Sequence, residues 1–205
     1  MYTTKAFVNY LAFQAAQTPE SGLYHGRMGI ILSLYCYGMV HNNRSLCDYA
    51  CDILQNMSTD YYNGDISIEN GLSGLGLGFT LLCKAGMFKD NLNEILCEVD
   101  KKIMSIDPRR MKDHSFRNGT SGVLFYIKTR LSVGQKCISL HKDYIMELES
   151  NMKDKATKII RPEMFIESLK QPAWEKEAYL NKNAGIDNGN AYFLIKESYD
   201  KIFSC

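Results

Sequence analysis

The sequence predicts an all-α protein made of α/α hairpin repeats, with buried inner helices backed by amphipathic outer ones. Three observations carry this. Of 15 glycines, 11 fall in four short windows near 22–29, 69–78, 116–123 and 185–192. Between the windows, segments apolar on all sides alternate with segments apolar on one stripe. No strand-like alternation of any length competes; residues 60–68 offer only a brief pairing.

Aligned, the windows read Tyr24-His25-Gly26-Arg27-Met28-Gly29, Glu69-Asn70-Gly71-Leu72-Ser73-Gly74, Arg117-Asn118-Gly119-Thr120-Ser121-Gly122 and Asp187-Asn188-Gly189-Asn190-Ala191-Tyr192. Each is a polar residue, a GxxG turn and an apolar run; in the fourth, Tyr192 replaces the second glycine. First glycines are 45, 48 and 70 residues apart, so the third interval holds about one extra helical hairpin.

The first two apolar runs, Ile30 to Tyr37 and Leu75 to Leu82, predict helices covered on all sides. Each is followed by a one-sided stripe: Leu46, Ala50, Ile53, Leu54 and Met57, then Leu92, Ile95, Leu96, Val99 and Ile103. Leu140, Tyr144, Ile145, Leu148 and Met152 repeat the stripe in the third unit. Residues 161–182, with Pro162, Pro172 and the single Trp174, predict two short helices near 163–170 and 174–182. Together these form one repeat domain over residues 1–205.

Composition narrows the function classes. A 205-residue chain buries roughly 70% of its unfolded surface and folds without staples. Lys plus Arg is 24 against 23 for Asp plus Glu, so net charge recruits neither nucleic acid nor a membrane surface. Seven cysteines, an odd number without a CxxC pair, read as buried thiols in a reducing compartment. The first 17 residues, interrupted by Asn9, Gln14 and Gln17, hold no signal-peptide core. The uncharged apolar stretches Met28 to Val40 and Gly71 to Cys83 are 13 residues each and too short to span a bilayer. The N-x-S/T triplets at Asn43, Asn56 and Asn118 are disregarded accordingly, and the expectation is a soluble cytoplasmic protein.

A glycine opening each inner helix is expected to let the chain enter at a sharp angle with positive φ, and the second to let a neighbouring backbone approach. His25, Asn70, Asn118 and Asn188, each just before a first glycine, are expected to cap the helix's unpaired N–H groups. Four such loops converging would place polar residues at the positive ends of helix dipoles, favouring an anion or a carboxylate.

The successive motifs Gly22 to Ile30, Glu69 to Gly76 and Phe116 to Val123, with Asp187 to Tyr192 as a worn fourth copy, resemble the GxxG loops of the lanthionine synthetase C-like (LanC-like) family. The resemblance covers roughly residues 20–200. It implies a partial α/α toroid whose inner loops line a cavity, in a family that includes cyclases adding peptide cysteine thiols to dehydrated Ser or Thr. It also implies zinc, held in the cyclases by a Cys two residues before the glycine in one loop and a Cys-His pair in another. Here those positions are Tyr24-His25, Glu69-Asn70, Arg117-Asn118 and Asp187-Asn188, without a cysteine. The expectation is therefore no metal, no cofactor and no zinc-dependent cyclase activity. About four hairpins stand where the family's rings need six or seven, which predicts exposed terminal flanks and a homodimer that covers them.

The ligand-binding candidates are His25, Glu69, Asn70, Arg117, Asn118, Asp187 and Asn188; the catalytic candidates are His25, His114, Asp113 and Arg117. His114 would titrate near neutrality if a carboxylate oriented it. Cys47 and Cys51 share a helix face and, with His41 and Asp48, form a possible metal half-site read first as core packing. The basic loop 107–114 could clamp a phosphate or an acidic peptide segment, and is read first as solvated. Three functions compete: a non-zinc LanC-like protein whose partners are a peptide substrate or a maturation enzyme; a glycosidase-type α/α hydrolase using Asp65, Glu69 and Asp187; and a purely structural repeat scaffold.

Overall fold

The computed structural model describes residues 4–57, 64–89, 91–133, 140–152, 161–174 and 178–203. The helices among them are α1 (Lys5–Gln17), α2 (Arg27–Val40), α3 (Arg44–Gln55), α4 (Leu72–Lys84), α5 (Leu92–Met104), α6 (Thr120–Leu131), α7 (Lys142–Asn151), α8 (Met164–Glu167) and α9 (Ala191–Phe203). Short 3-10 turns lie at Pro108–Arg110 and Ala178–Asn181. No strand occurs among the described residues, so the all-α repeat reading holds. The two short helices expected near 163–170 and 174–182 contract to α8 and the 3-10 turn at 178–181. Residues 64–68 form no strand, and 58–63 lie outside the described residues.

The chain divides into two compact units, residues 1–61 with 165–205, and residues 62–164. In the first, α2 packs on α3, α9 and α1. Every residue from Met28 to Gly38 is buried, so α2 is enclosed as its composition requires. Fully burying one large aliphatic or aromatic side chain contributes about 1.5–3 kcal/mol, which makes such a helix the centre of its unit. Phe7 of α1 closes one side in an aromatic cluster with Trp174, Tyr179 and Phe193. α2 and α9, which come from the first and last glycine windows, pack on each other.

The second unit is built alike. Enclosed α4 packs on enclosed α6, and each is backed by an outer helix, α5 or α7. Gly76 makes the α4–α6 approach possible, since a Cβ there would stand 2.6 Å from the Tyr126 ring. On α5 the stripe residues Leu92, Leu96, Val99 and Ile103 are buried while Glu94, Glu98 and Lys101 face water. One charge interrupts that stripe. Asp100, fully buried, accepts the Tyr126 hydroxyl at 2.5 Å and faces Arg130, also fully buried, at 3.9 Å.

Three hydroxyls inside the buried helices satisfy themselves locally, whereas that of buried Ser73 has no hydrogen-bond partner among the described residues. Ser33, Thr80 and Ser198 each donate to the carbonyl one turn back, Gly29, Gly76 and Leu194, at 2.8, 2.7 and 2.6 Å. That removes the cost of a buried hydroxyl without a lateral partner.

Candidate functional site

The four glycine loops share one construction. The first free N–H after each first glycine is capped by a backbone carbonyl seven residues earlier: Arg27 by Glu20 (2.7 Å), Leu72 by Asp65 (3.0 Å), Thr120 by Asp113 (3.0 Å) and Asn190 by Asn183 (2.8 Å). Three of those carbonyl residues also fold their own side chains back, Asp65 onto Ser67 N–H (2.7 Å), Asp113 onto Ser115 N–H (2.7 Å) and Asn183 onto Gly185 N–H (2.8 Å). In these three the loop is thus an Asx turn whose carbonyl returns to cap the helix.

This corrects two expectations. Gly26, Gly71 and Gly119 are themselves the caps, with no side-chain capping bond, so His25, Asn70 and Asn118 do not cap their helices. The corresponding Asn188, at φ 50°, places its own N–H on the Lys170 carbonyl at 2.8 Å. Nor do the cap glycines use positive φ: they are extended, with φ of −108°, −118° and −122°. They are required by closeness instead. A Cβ on Gly26 would stand 2.6 Å from the Glu20 oxygen, on Gly71 2.6 Å from the Asp65 carbonyl carbon, and on Gly189 2.8 Å from the Asn183 oxygen. The second glycines are equally confined: a Cβ on Gly29 or Gly122 would collide with the Leu23 or Phe116 carbonyl oxygen of its own loop. The repeated D/N-x-S/G-aliphatic or aromatic-x-N-G pattern at 65–71, 113–119 and 183–189 was available in the sequence as the signal for this turn.

Within each unit two loops pair in the same sense. Glu69 N–H donates to the Arg117 carbonyl at 3.1 Å, and Asp187 N–H donates to the Tyr24 carbonyl at 3.1 Å. The second glycine of the accepting loop meets the same side chain of its partner: Gly122 faces Ile68, and Gly29 faces Ile186. Side chains then complete an acid–base pair across each junction. In the second unit Glu69 and Arg117 form a two-pronged ion pair, with Arg117 Nε on Oε2 at 2.9 Å and Nη2 on Oε1. In the first, His25 Nε2 lies 3.7 Å from Asp187 Oδ2, while Asp187 Oδ1 accepts the Lys170 N–H at 2.7 Å. Asp187 is buried and His25 partly open. Behind them Tyr24, fully buried, shares a 2.5 Å hydrogen bond with Ser168.

The remaining candidates separate from these pairs. Asn70, Asn118 and Asn188 are exposed. His114 Nδ1 bonds the Thr120 hydroxyl at 2.9 Å, so a hydroxyl and not a carboxylate orients it. Asp113 belongs to the turn; the Ser115 N–H holds its carboxyl below the usual range. In the loop 107–114, Arg109 is forked onto Asp107 at 2.9 and 3.2 Å, with Arg110 at 3.9 Å. Cys47 Sγ faces the Tyr35 carbonyl and Gly38, whereas His41 turns to Glu197, so the half-site is not assembled. Burial raises the thiols of Cys36, Cys47 and Cys51 above their ordinary value, which keeps them protonated.

The arrangement defines a class: helical hairpins launched by paired, carbonyl-capped glycine loops that carry an acidic partner and a basic partner. A sequence model of lanthionine synthetase C-like proteins matches residues 18–194, and the chain belongs to that family. No curated protein and no solved structure matches it. The cysteine ligands of the family's cyclases have no counterpart in these loops. The positions before the cap glycines supply no thiolate, and the imidazole and carboxylate of the first unit are engaged with each other and with backbone.

Proposed function

We propose that this chain is a peptide-binding or accessory component in the maturation of modified, lanthipeptide-like peptides, acting without zinc-dependent cyclisation. One observation carries the reading: where the family's cyclases keep thiolates, this chain has Tyr24-His25, Glu69-Asn70, Arg117-Asn118 and Asp187-Asn188, and the charged members are drawn into acid–base pairs. Such pairs present polar edges that recognise peptide amides and carboxylates, while a buried thiol held protonated activates no substrate cysteine. Those partners also weigh against glycosidase-type chemistry, since Asp65, Glu69 and Asp187 are each engaged by backbone or by a counter-charge.

The test is a linear peptide carrying dehydroalanine and cysteine, titrated calorimetrically while its free thiol is followed by maleimide trapping. Saturable binding with thiol loss at the uncatalysed rate is expected. Stoichiometric zinc in the purified protein together with accelerated thiol loss would overturn the proposal. The packing of α2 on α9 supports a chain that acts without a second copy. Light scattering decides that point, with a monomer across a wide concentration range expected if their contact satisfies both flanks.

A further inference from the structure

We infer that the first unit holds a second binding site, for a small organic acid with one carboxylate on an apolar body. It lies between α1 and the turn joining α2 to α3, at the end of α2 opposite the glycine loops. The cavity measures about 550 Å³, within the range of small-molecule sites. Val8, Ala12 and Leu46 supply apolar wall.

The wall carries one fixed cation and several groups able to donate a hydrogen bond. Lys5 contributes an ammonium with no ion-pair partner among the described residues. Ser45 sits in the first turn of the twelve-residue α3, where its N–H has no partner inside the helix and the dipole favours negative charge. Tyr37, only 9% exposed, has its ring stacked on His41 at 4.1 Å, and its hydroxyl makes no hydrogen bond among the described residues. A phenol hydroxyl with no protein partner, in the wall of a cavity, is open to a ligand oxygen. No carboxylate lines the cavity, and Glu197, which faces His41 from α9, is bonded to its Nε2 at 2.9 Å. The charge balance therefore favours an anionic head, and the apolar wall favours an apolar body.

Hydrocinnamate is the probe, followed by amide chemical shifts of the full chain. Saturable shifts confined to residues 5–12 and 37–49 are expected. The neutral analogue hydrocinnamyl alcohol should bind about tenfold or more weakly, and Lys5→Glu, an exposed change that leaves the fold intact, should weaken the acid by a similar factor. Ala12→Trp should fill the cavity and abolish binding; if it fails to fold, Tyr37→Phe replaces it, with loss of the acid's advantage over the alcohol expected. Equal binding of acid and alcohol, displacement by inorganic phosphate at equal affinity, or no shift in these segments would overturn the site. Since the peptide assay reads the other end of α2, failure here leaves that proposal standing, and the reverse.

Discussion

The Asp65 carbonyl accepts the Leu72 N–H at 3.0 Å, and its carbon stands 2.6 Å from where a Cβ on Gly71 would lie. The same carbonyl therefore caps the helix and excludes any residue but glycine from the cap position. The relation recurs between Asp113 and Gly119, and between Asn183 and Gly189.

Gly71→Ala and Gly119→Ala should consequently destabilise the protein by at least about 1–3 kcal/mol each, because the obstacle is backbone and cannot rotate away. Urea unfolding measures this. A loss no larger than that of an ordinary surface substitution would mean that the loops relax freely.

The Asp113 carboxyl titrates below its ordinary range because the Ser115 N–H, foremost, favours its charged form. A depressed folded pKa contributes stability above the unfolded value of about 3.9 and loses it as pH falls through the folded value. Asp113→Asn keeps an acceptor, as Asn183 does in the fourth loop, but removes the titration. The variant should lose less stability than the wild type between about pH 5 and about pH 2. Parallel acid-denaturation curves would refute the assignment.

Glu69 and Arg117 are mostly buried and doubly bonded, with side-chain exposures of 16% and 20%. A double-mutant cycle through Glu69→Gln and Arg117→Met should return a coupling of about 1–3 kcal/mol. Additive effects would show that the loops are held by backbone alone.

Arg130 is wholly buried, bonds Asn93 Oδ1 at 2.6 Å, and leaves Nε and Nη1 without hydrogen-bond partners among the described residues. Arg130→Ala should cost about 3–5 kcal/mol, since it strands the Asp100 charge in the core. The double variant Arg130→Met with Asp100→Leu should recover much of that loss, as apolar side chains of similar volume replace an imperfectly satisfied pair. Thermal melts of the three proteins decide it.

The helices themselves were readable from residue order, because enclosure and amphipathicity leave periodic traces along the chain. Met28 to Gly38 and the stripe from Leu92 to Ile103 illustrate both patterns. The loop chemistry was only half readable. The glycines pointed to the turns, but the neighbouring polar residues suggested side-chain caps where carbonyls of Glu20, Asp65, Asp113 and Asn183 do that work. A backbone acceptor is common to every residue type, so it leaves no letter to find.

By itself the sequence determined an all-helical repeat with four glycine turns and no thiol before any cap glycine, since these depend on local order and residue identity. Only the tertiary structure decided that Tyr24 and Asp187, from opposite ends of the chain, share a backbone bond as Arg117 and Glu69 do. It also decided that His25 faces a buried acid while His114 faces a hydroxyl. Periodicity specifies which face of a helix is buried, whereas the partner of a loop N–H depends on which hairpins become neighbours, and that is settled by packing between distant segments.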